Sequence, residues 1–486
     1  MDLSWDDAAR AGRFEDYIEG LAGALGHKDR DEPFRHYCAG LLLPGERKSV
    51  EPMAARLSPG SVSAEHQSLL HFVGQSPWSA GSLLSAVRSA VLPALTDQAP
   101  VEAWIVDDTG FPKKGKHSVG VARQYCGQLG KQDNCQVAVS LSVASVASSL
   151  PVAWRLYLPK AWAKAWAKDA ARRAKAGVPD DVIFATKTRI ALDQIAWAAA
   201  CPDIPKGVVV SDAGYGNEMD FRLGVADLGL CYVAGIQSTT TLWAPGAGPL
   251  MPSASRGQGR PQTRLQHPRD QAPVSAKTLA EGLSADHWRK ITWREGVAGP
   301  LCSRFAALRL RPAHRDRRRC EPWPGEWLLI EWPEGETEPT KYWLANLPED
   351  TSIERLVHLA KLRWRIERDY RELKQELGLG HYEGRGWRGF HHHAALCIAA
   401  YGFLLKERIA IPPSGPCNRP LLQEPALPEG FRPRGAADPT RAAHPDIHRH
   451  AAPDHRRGAG KETAPMSMLS PSDPRQNQNH TKFMTQ

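Results

Sequence analysis

The sequence predicts an α/β chain, and three observations predict it. Apolar residues recur at helical spacing through roughly the first 95 positions, two compact apolar runs each end abruptly at aspartate, and helical spacing returns after a strand-rich, loosely patterned middle.

Residues 1–97 contain "FEDYIEGLAGALG" and "SAGSLLSAVRSAVLPAL", whose apolar side chains fall three and four apart between Gly and Pro, so this segment reads as a helical domain. Next, "VEAWIVDDTGF" reads as a short strand closing on Asp107 and Asp108, with "NCQVAVSLSVAS" as its β-branched partner. Residues 160–200 turn helical and include "AWAKAWAK", in which Trp162 and Trp166 lie one turn apart beside Lys164 and Lys168. The plain reading is an amphipathic helix on a sheet, and the sharper one a DNA contact. "KGVVVSDAGYG" then repeats the earlier grammar of strand, aspartate and Gly-rich turn, placing Asp212 at a strand end.

From 237 to 345 the pattern loosens into Gly/Pro-rich loops and strand-like stretches, "RFAALRLR", "WLLIEW" and "KYWLANL", which suggests a β-rich insertion. Between residues 254 and 320 there are 15 Lys/Arg against five Asp/Glu, so much of the net charge of +9 sits here, either as a solvated loop or as a phosphate-contacting surface. Trp293 in "ITWREG" reads as a hairpin core residue or as a platform for an unpaired base. Lys113, Lys114 and Lys116, just past Asp107, read as a wet turn or as phosphate contacts. Helices return at about 352–377 and 391–408, and residues 411–486, rich in Pro, His and Arg with no periodicity, read as a disordered tail.

The nine cysteines form no C-x-x-C pair or zinc-like spacing, which argues against a disulfide framework or zinc ribbon and for a cytoplasmic protein. "AALCIAAYGFLL" is too short to span a bilayer, so no membrane partner is expected. Three consecutive histidines, His391–His393, diverge by about 100° each on a helix and cannot ligate one ion.

On the helix beginning near 352, Arg363, Glu367, Tyr370 and Lys374 fall in one narrow stripe, with Leu359, Leu362, Ile366, Leu373 and Leu377 in the stripe beside it. Alone, the polar stripe is an ordinary salt-bridge ladder. Joined with two strand-end aspartates, Glu367 completes a set of three carboxylates on rigid elements, which suits hard divalent cations and phosphoryl transfer.

With these motifs the chain resembles the DDE transposases of bacterial insertion sequences, in the branch whose third motif is Tyr-x2-Arg-x3-Glu-x6-Lys. Arg363, Glu367 and Lys374 fit that spacing, while Ala360 holds the tyrosine position and Tyr370 lies on the helical face of Glu367. "IVDDTGF" matches the first motif at Asp107 and Thr109, strand alternation turning Asp108 the other way, and "VVVSDAGYG" matches the second at Asp212.

The resemblance spans roughly residues 30–410. It implies an RNase H-like mixed sheet flanked by helices, with core segments at 98–236 and 346–410 around the insertion at 237–345. It implies Asp107, Asp212 and Glu367 as catalytic ligands of two Mg²⁺ ions, with Mn²⁺ as a substitute, and Arg363 and Lys374 at DNA phosphates. It further implies duplex DNA partners, namely the element's terminal inverted repeats and the target. Recognition of the ends falls to the helical N-terminal domain, and synapsis implies self-association. The competing expectations are an inactive DNA-binding descendant of a transposase and an RNase H-like nuclease without strand transfer.

Overall fold

The computed structural model describes residues 3–162, 170–252, 262–296 and 299–411. Trp166, Lys164 and Lys168 of the tryptophan repeat, the 253–261 part of the basic segment and residues 412–486 of the tail lie outside them.

Five helices come first, α1 (Leu3–Ala22), α2 (Asp31–Leu42), α3 (Val50–Leu57), α4 (Val62–Gly74) and α5 (Ala80–Gln98). Their inward stripes, including Ile18, Phe34, Leu41, Leu69, Leu83 and Val91, are buried in the largest core. Ser79 caps α5 by accepting the Ser82 amide, which places the start of that helix.

The sheet follows. β1 (Val101–Pro112) runs through both aspartates instead of ending at them, because β3 (Lys131–Ser145) pairs with it antiparallel as far as Pro112. The outer edge of β3 takes β2 (Ala122–Cys126) and β4 (Ser149–Leu156), two strands with no separate signature in the sequence reading. On the other side of β1 lie β5 (Val208–Ser211) and β6 (Tyr232–Ile236), both parallel to their neighbour. Between these strands come α6 (Ala170–Ala176), α7 (Lys187–Ala200), α8 (Ala213–Gly216) and α9 (Met219–Asp227).

The strands of the inserted region do not form a separate body. They are β7 (Thr241–Trp243), β8 (Val274–Ser275), β9 (Arg289–Gly296), β10 (Gly299–Pro312), β11 (Glu326–Trp332) and β12 (Lys341–Ala345), with the short α10 (Ala276–Glu281) after β8. β12 adds antiparallel to β6, so the path β2-β3-β1-β5-β6-β12-β11-β10-β7-β8 is one mixed sheet of 12 strands once β4 and β9 are included. This is the RNase H-like mixed sheet flanked by helices that the motifs imply.

The expected helix over 352–377 is two helices, α11 (Ile353–Leu362) and α12 (Trp364–Gln375), meeting at Arg363. There φ −53 and ψ −28 are 3₁₀ values, and the Ile366 amide donates to the Arg363 carbonyl three residues back. The apolar stripe serves two clusters, and the change falls between Leu359 and Leu362, just ahead of the break. Leu359 packs into a cluster with Phe305, Leu329 and Trp343, while Ile366, Leu373 and Leu377 enter the main core. One sequence stripe thus joins the core around the β1 end of the sheet to that around the β10–β12 strands.

The last helix, α13 (Trp387–Ala410), is buried on nearly every side by α5, α2, α4 and β4. That explains "AALCIAAYGFLL", a core helix apolar all round. Among the described residues no helix is long and apolar enough to cross a membrane.

His391–His393 diverge as expected and each finds its own partners. His391 Nδ1 donates to Trp387 O, and its Nε2 accepts the Leu156 amide. His393 Nε2 donates to Gly378 O, and its Nδ1 accepts the Tyr37 hydroxyl. His392 faces two carbonyls, Val73 at 3.0 Å and Trp78 at 2.9 Å, and stacks on the Trp78 ring. A neutral imidazole donates to one of the two.

Burial pushes His392 and His393 down to about 4, against hydrogen bonds to carbonyls that pull the other way. An unfolded histidine titrates near 6.5, so below that pH the unfolded chain binds more protons and stability drains away. The contribution is complete above pH 6.5 and is lost as pH falls through about 4. Urea midpoints at pH 7, 6 and 5 are expected to fall in that order, and less steeply in His393→Gln. Equal pH dependence in wild type and variant would refute the assignment.

Candidate active site

Register brings the first two carboxylates together. β1 pairs parallel with β5 at Ile105↔Val210, so two residues further on Asp107 stands level with Asp212, just past the end of β5. Asp212 caps α8, its Oδ1 accepting the Gly214 amide at 2.9 Å. The turn sits hard against β6, where a Cβ on Gly216 would lie 2.1 Å from Gly235 O and one on Gly235 would lie 2.9 Å from the Ala213 amide. These two glycines let strand and turn approach closely enough to hold Asp212 at this height.

The third carboxylate comes from α12. Arg363 Nη1 donates to Glu367 Oε1 at 2.5 Å, and Arg363 Nη2 donates to Asp107 Oδ2 at 2.9 Å with Asp212 Oδ2 at 3.9 Å. One guanidinium therefore touches all three predicted ligands. Asp107 is buried, whereas Glu367, with a side chain 61% exposed, reaches in from the solvent edge.

Burial dominates the electrostatics of this pocket. Burial pushes the Asp107 carboxyl up to about 7, Arg363 opposes the rise, and the nearby Asp212 and Asp108 charges reinforce it. Burial also works against the charge on Arg363, but Asp107, Asp212 and Glu367 outweigh it and hold the guanidinium above its usual range.

Asp108 takes different partners from Asp107. Lys187 at the start of α7 donates to its Oδ2 at 2.8 Å, and the Tyr215 hydroxyl donates to the same oxygen at 3.2 Å. Tyr370 shares a 2.7 Å hydrogen bond with Ser140, the residue across from Asp107 in the β1–β3 ladder, and lines the same cavity as Asp107 and Glu367. Ala360 is buried on α11 and lines an adjoining groove.

The remaining candidates divide between two places. Lys374, about two turns along α12 from Glu367, donates to Gly110 O at 2.7 Å and Gln128 Oε1 at 3.2 Å, and burial lowers its ammonium to about 8. Trp293 lines the adjoining groove with Asp212, Arg363 and Glu367; it is partly buried, and the Lys361 ammonium lies 4.6 Å from its ring centroid. Lys113 and Lys114 instead line a separate cavity past the end of β1, where Lys113 Nζ donates to Tyr382 O.

Two features escaped the sequence reading. Nothing in "FATKTRIAL" marks Lys187 as the partner of Asp108. Asp369 is fully buried on α12, accepts the Ser149 and Tyr401 hydroxyls at 2.6 and 2.9 Å, and is pushed up to about 6 by burial. Its spacing from Ile366 and Leu373 placed it in the apolar stripe, so a carboxylate there signalled a buried pin between α12, β4 and α13.

Among the described residues no three acidic, His or Cys side chains already form a metal-holding group, since Arg363 lies among the carboxylates. The donor set nevertheless fits a hard divalent cation. It is all oxygen, it is borne on a strand, a strand end and a helix, and Asp107 is raised first by burial, with Arg363 opposing and Asp212 and Asp108 adding to the rise.

Comparison with known proteins bears on the family. The chain is 28% identical over 208 residues to a protein of Microchaete diplosiphon described as a probable transposase for insertion sequence element IS701, a match covering 43% of this chain and 49% of that protein. The match thus spans about half the length of that relative. A family model described as DDE superfamily endonuclease matches residues 20–300, which include Asp107 and Asp212 and stop short of Glu367. With more than half of its length covered by that model and two of its three converging carboxylates inside it, this chain belongs to the DDE superfamily endonucleases.

Proposed function

We propose that this protein is a transposase that binds the ends of its insertion sequence, cleaves the DNA there and joins the 3′ ends to target DNA. The observation that carries the reading is the convergence of Asp107, Asp212 and Glu367 on one guanidinium. Three oxygen donors drawn from separate elements onto a single cation are what phosphodiester chemistry with Mg²⁺ or Mn²⁺ requires, and a surface salt-bridge ladder does not need them.

Asp107, central in the sheet and the most buried of the three, would be the ligand shared by two ions, with Asp212 and Glu367 each holding one. Bound there, the ions would lower the barrier to in-line attack by activating the attacking oxygen and stabilising the leaving one. The protein's own groups do the rest. Arg363, released from the carboxylates, reaches a phosphate next to the scissile bond with its two-pronged donor. Lys374, about two turns beyond Glu367, contacts a phosphate further along the strand, exchanging its carbonyl partner for it. Trp293 offers its ring to a base at the cut end. The partners are duplex DNA and, in synapsis, a second copy of the chain.

The test is nicking and joining of a supercoiled plasmid carrying the element's ends, in Mg²⁺ and in Ca²⁺. Glu367→Gln is expected to lower the rate by ~10³-fold, several kcal/mol of barrier. Glu372→Gln is expected to retain most activity, because Glu372 points away to Arg368 and Arg408 at 2.7 and 2.6 Å. Equal losses in both would refute the register of the third motif. Wild type that binds ends without nicking them would leave the DNA-binding descendant standing.

A further inference from the structure

We propose that the cavity past the end of β1 is a second DNA contact that grips the sugar-phosphate backbone ~6 base pairs from the scissile bond, with Arg47 and Arg385 as its outer donors. The inference rests on the proposed function and extends it to residues outside the catalytic helix.

The cavity has a volume of about 690 Å³ and is built from three distant segments. Arg47 comes from the link between α2 and α3, Lys113, Lys114 and His117 from the turn after β1, and His381 and Arg385 from the segment between α12 and α13. Hydrogen bonds stitch these segments together. The Val119 amide donates to Arg385 O at 2.9 Å, Lys113 Nζ donates to Tyr382 O at 2.7 Å, and the Lys48 amide donates to His381 Nδ1 at 3.0 Å. The last of these leaves the imidazole proton on Nε2. Asn134 secures the turn by donating to the Lys113 and Gly115 carbonyls.

Cations outnumber anions in this cradle. Glu46 and Glu383 are its two acidic lining residues, Glu383 being paired with Arg47. Arg47, Lys114 and Arg385 are exposed and present their charges to solvent.

The cradle also lies in line with the carboxylates. Along β1, cations recur at Asp107, where Arg363 stands, at Gly110, where Lys374 is anchored, and at Lys113. Six strand residues span ~20 Å, the length of about six base pairs of B-DNA. A backbone leaving the acidic site on this side would meet Lys374 and then the cavity. The N-terminal helical region thereby supplies a DNA contact through Arg47, although no helix-turn-helix is needed for it.

Binding of a 30-base-pair duplex in Ca²⁺ between 50 and 200 mM salt tests the proposal, with Arg47→Ala/Arg385→Ala beside wild type. Loss of two phosphate contacts is expected to lower the slope of log K against log salt by ~1.8 and to weaken binding ~10-fold at 0.1 M salt. Arg47→Glu/Arg385→Glu deepens the binding defect. If wild type binds duplex and the double alanine variant matches it in affinity and slope, the proposal fails and the proposed function stands. Wild type that binds no duplex at all overturns both. Inorganic phosphate that displaces duplex better than chloride at equal ionic strength, in wild type alone, would assign the cavity to free phosphate and overturn the backbone reading.

Discussion

Asp107→Asn lowers DNA nicking and joining by ~10³-fold or more, while Asp108→Asn lowers them ~10-fold or less. The distinction follows from partners. Asp107 faces Arg363 with Asp212 and Glu367, the group that can share a cation, whereas Asp108 is held by Lys187 and Tyr215. Losing a ligand common to two ions removes several kcal/mol of transition-state stabilisation, and each 1.4 kcal/mol is a factor of ten.

The same substitution separates chemistry from folding. Asp107 is raised to about 7 by burial, whereas an unfolded aspartate titrates near 4. Between those values the native state holds the extra proton, so the contribution of Asp107 to stability is greatest below pH 4 and its loss is complete above pH 7, opposite in sign to that of the buried histidines. Asparagine carries no such charge. The metal-free variant is therefore expected to melt at or above the wild-type temperature at pH 8, and to lack the rise in melting temperature expected of wild type in Mg²⁺. A variant that melts well below wild type, or one that still nicks at wild-type rate, would sink the assignment.

Much of this site was legible because its parts are local. A strand carrying aspartate, a second strand that stops at one and a stretch of helix with two adjoining stripes are patterns of period 2 and 3.6, visible without knowing how the chain closes, although the first strand runs on to Pro112. The inserted strands were visible one by one in "RFAALRLR", "WLLIEW" and "KYWLANL". Their addition to the edge of the main sheet through β12 and β6 was not, because strand order depends on contacts between positions a hundred residues apart. The break at Arg363 was likewise hidden. Neither Gly nor Pro marks it, and the change of cluster along the stripe falls before it, between Leu359 and Leu362. Lys187 and the cradle around Arg47 come from segments whose approach is purely tertiary, so composition could supply only the surplus of positive charge.

Arg363→Gln is expected to move metal binding and catalysis in opposite directions. In the metal-free protein Arg363 is the counterion of three carboxylates, and a divalent cation entering the same place must displace it. Glutamine keeps a hydrogen-bonding head and removes the charge, leaving Asp107, Asp212 and Glu367 to repel one another. Calorimetric Ca²⁺ affinity without DNA should then rise ~10-fold, the equivalent of about 1.4 kcal/mol of competition removed. The melting temperature without metal should fall. Nicking should nevertheless drop ~100-fold, because the guanidinium that grips a phosphate beside the cut is gone, a loss in line with removing one charge-assisted contact in the transition state. Arg363→Lys, which keeps the charge and loses the fork, should bind Ca²⁺ like wild type and recover only part of the rate. Unchanged Ca²⁺ affinity in Arg363→Gln would show that the carboxylates and the metal meet elsewhere, whatever happened to the rate. An increased affinity with full activity would confine Arg363 to charge balance and pass its phosphate contact to Lys374.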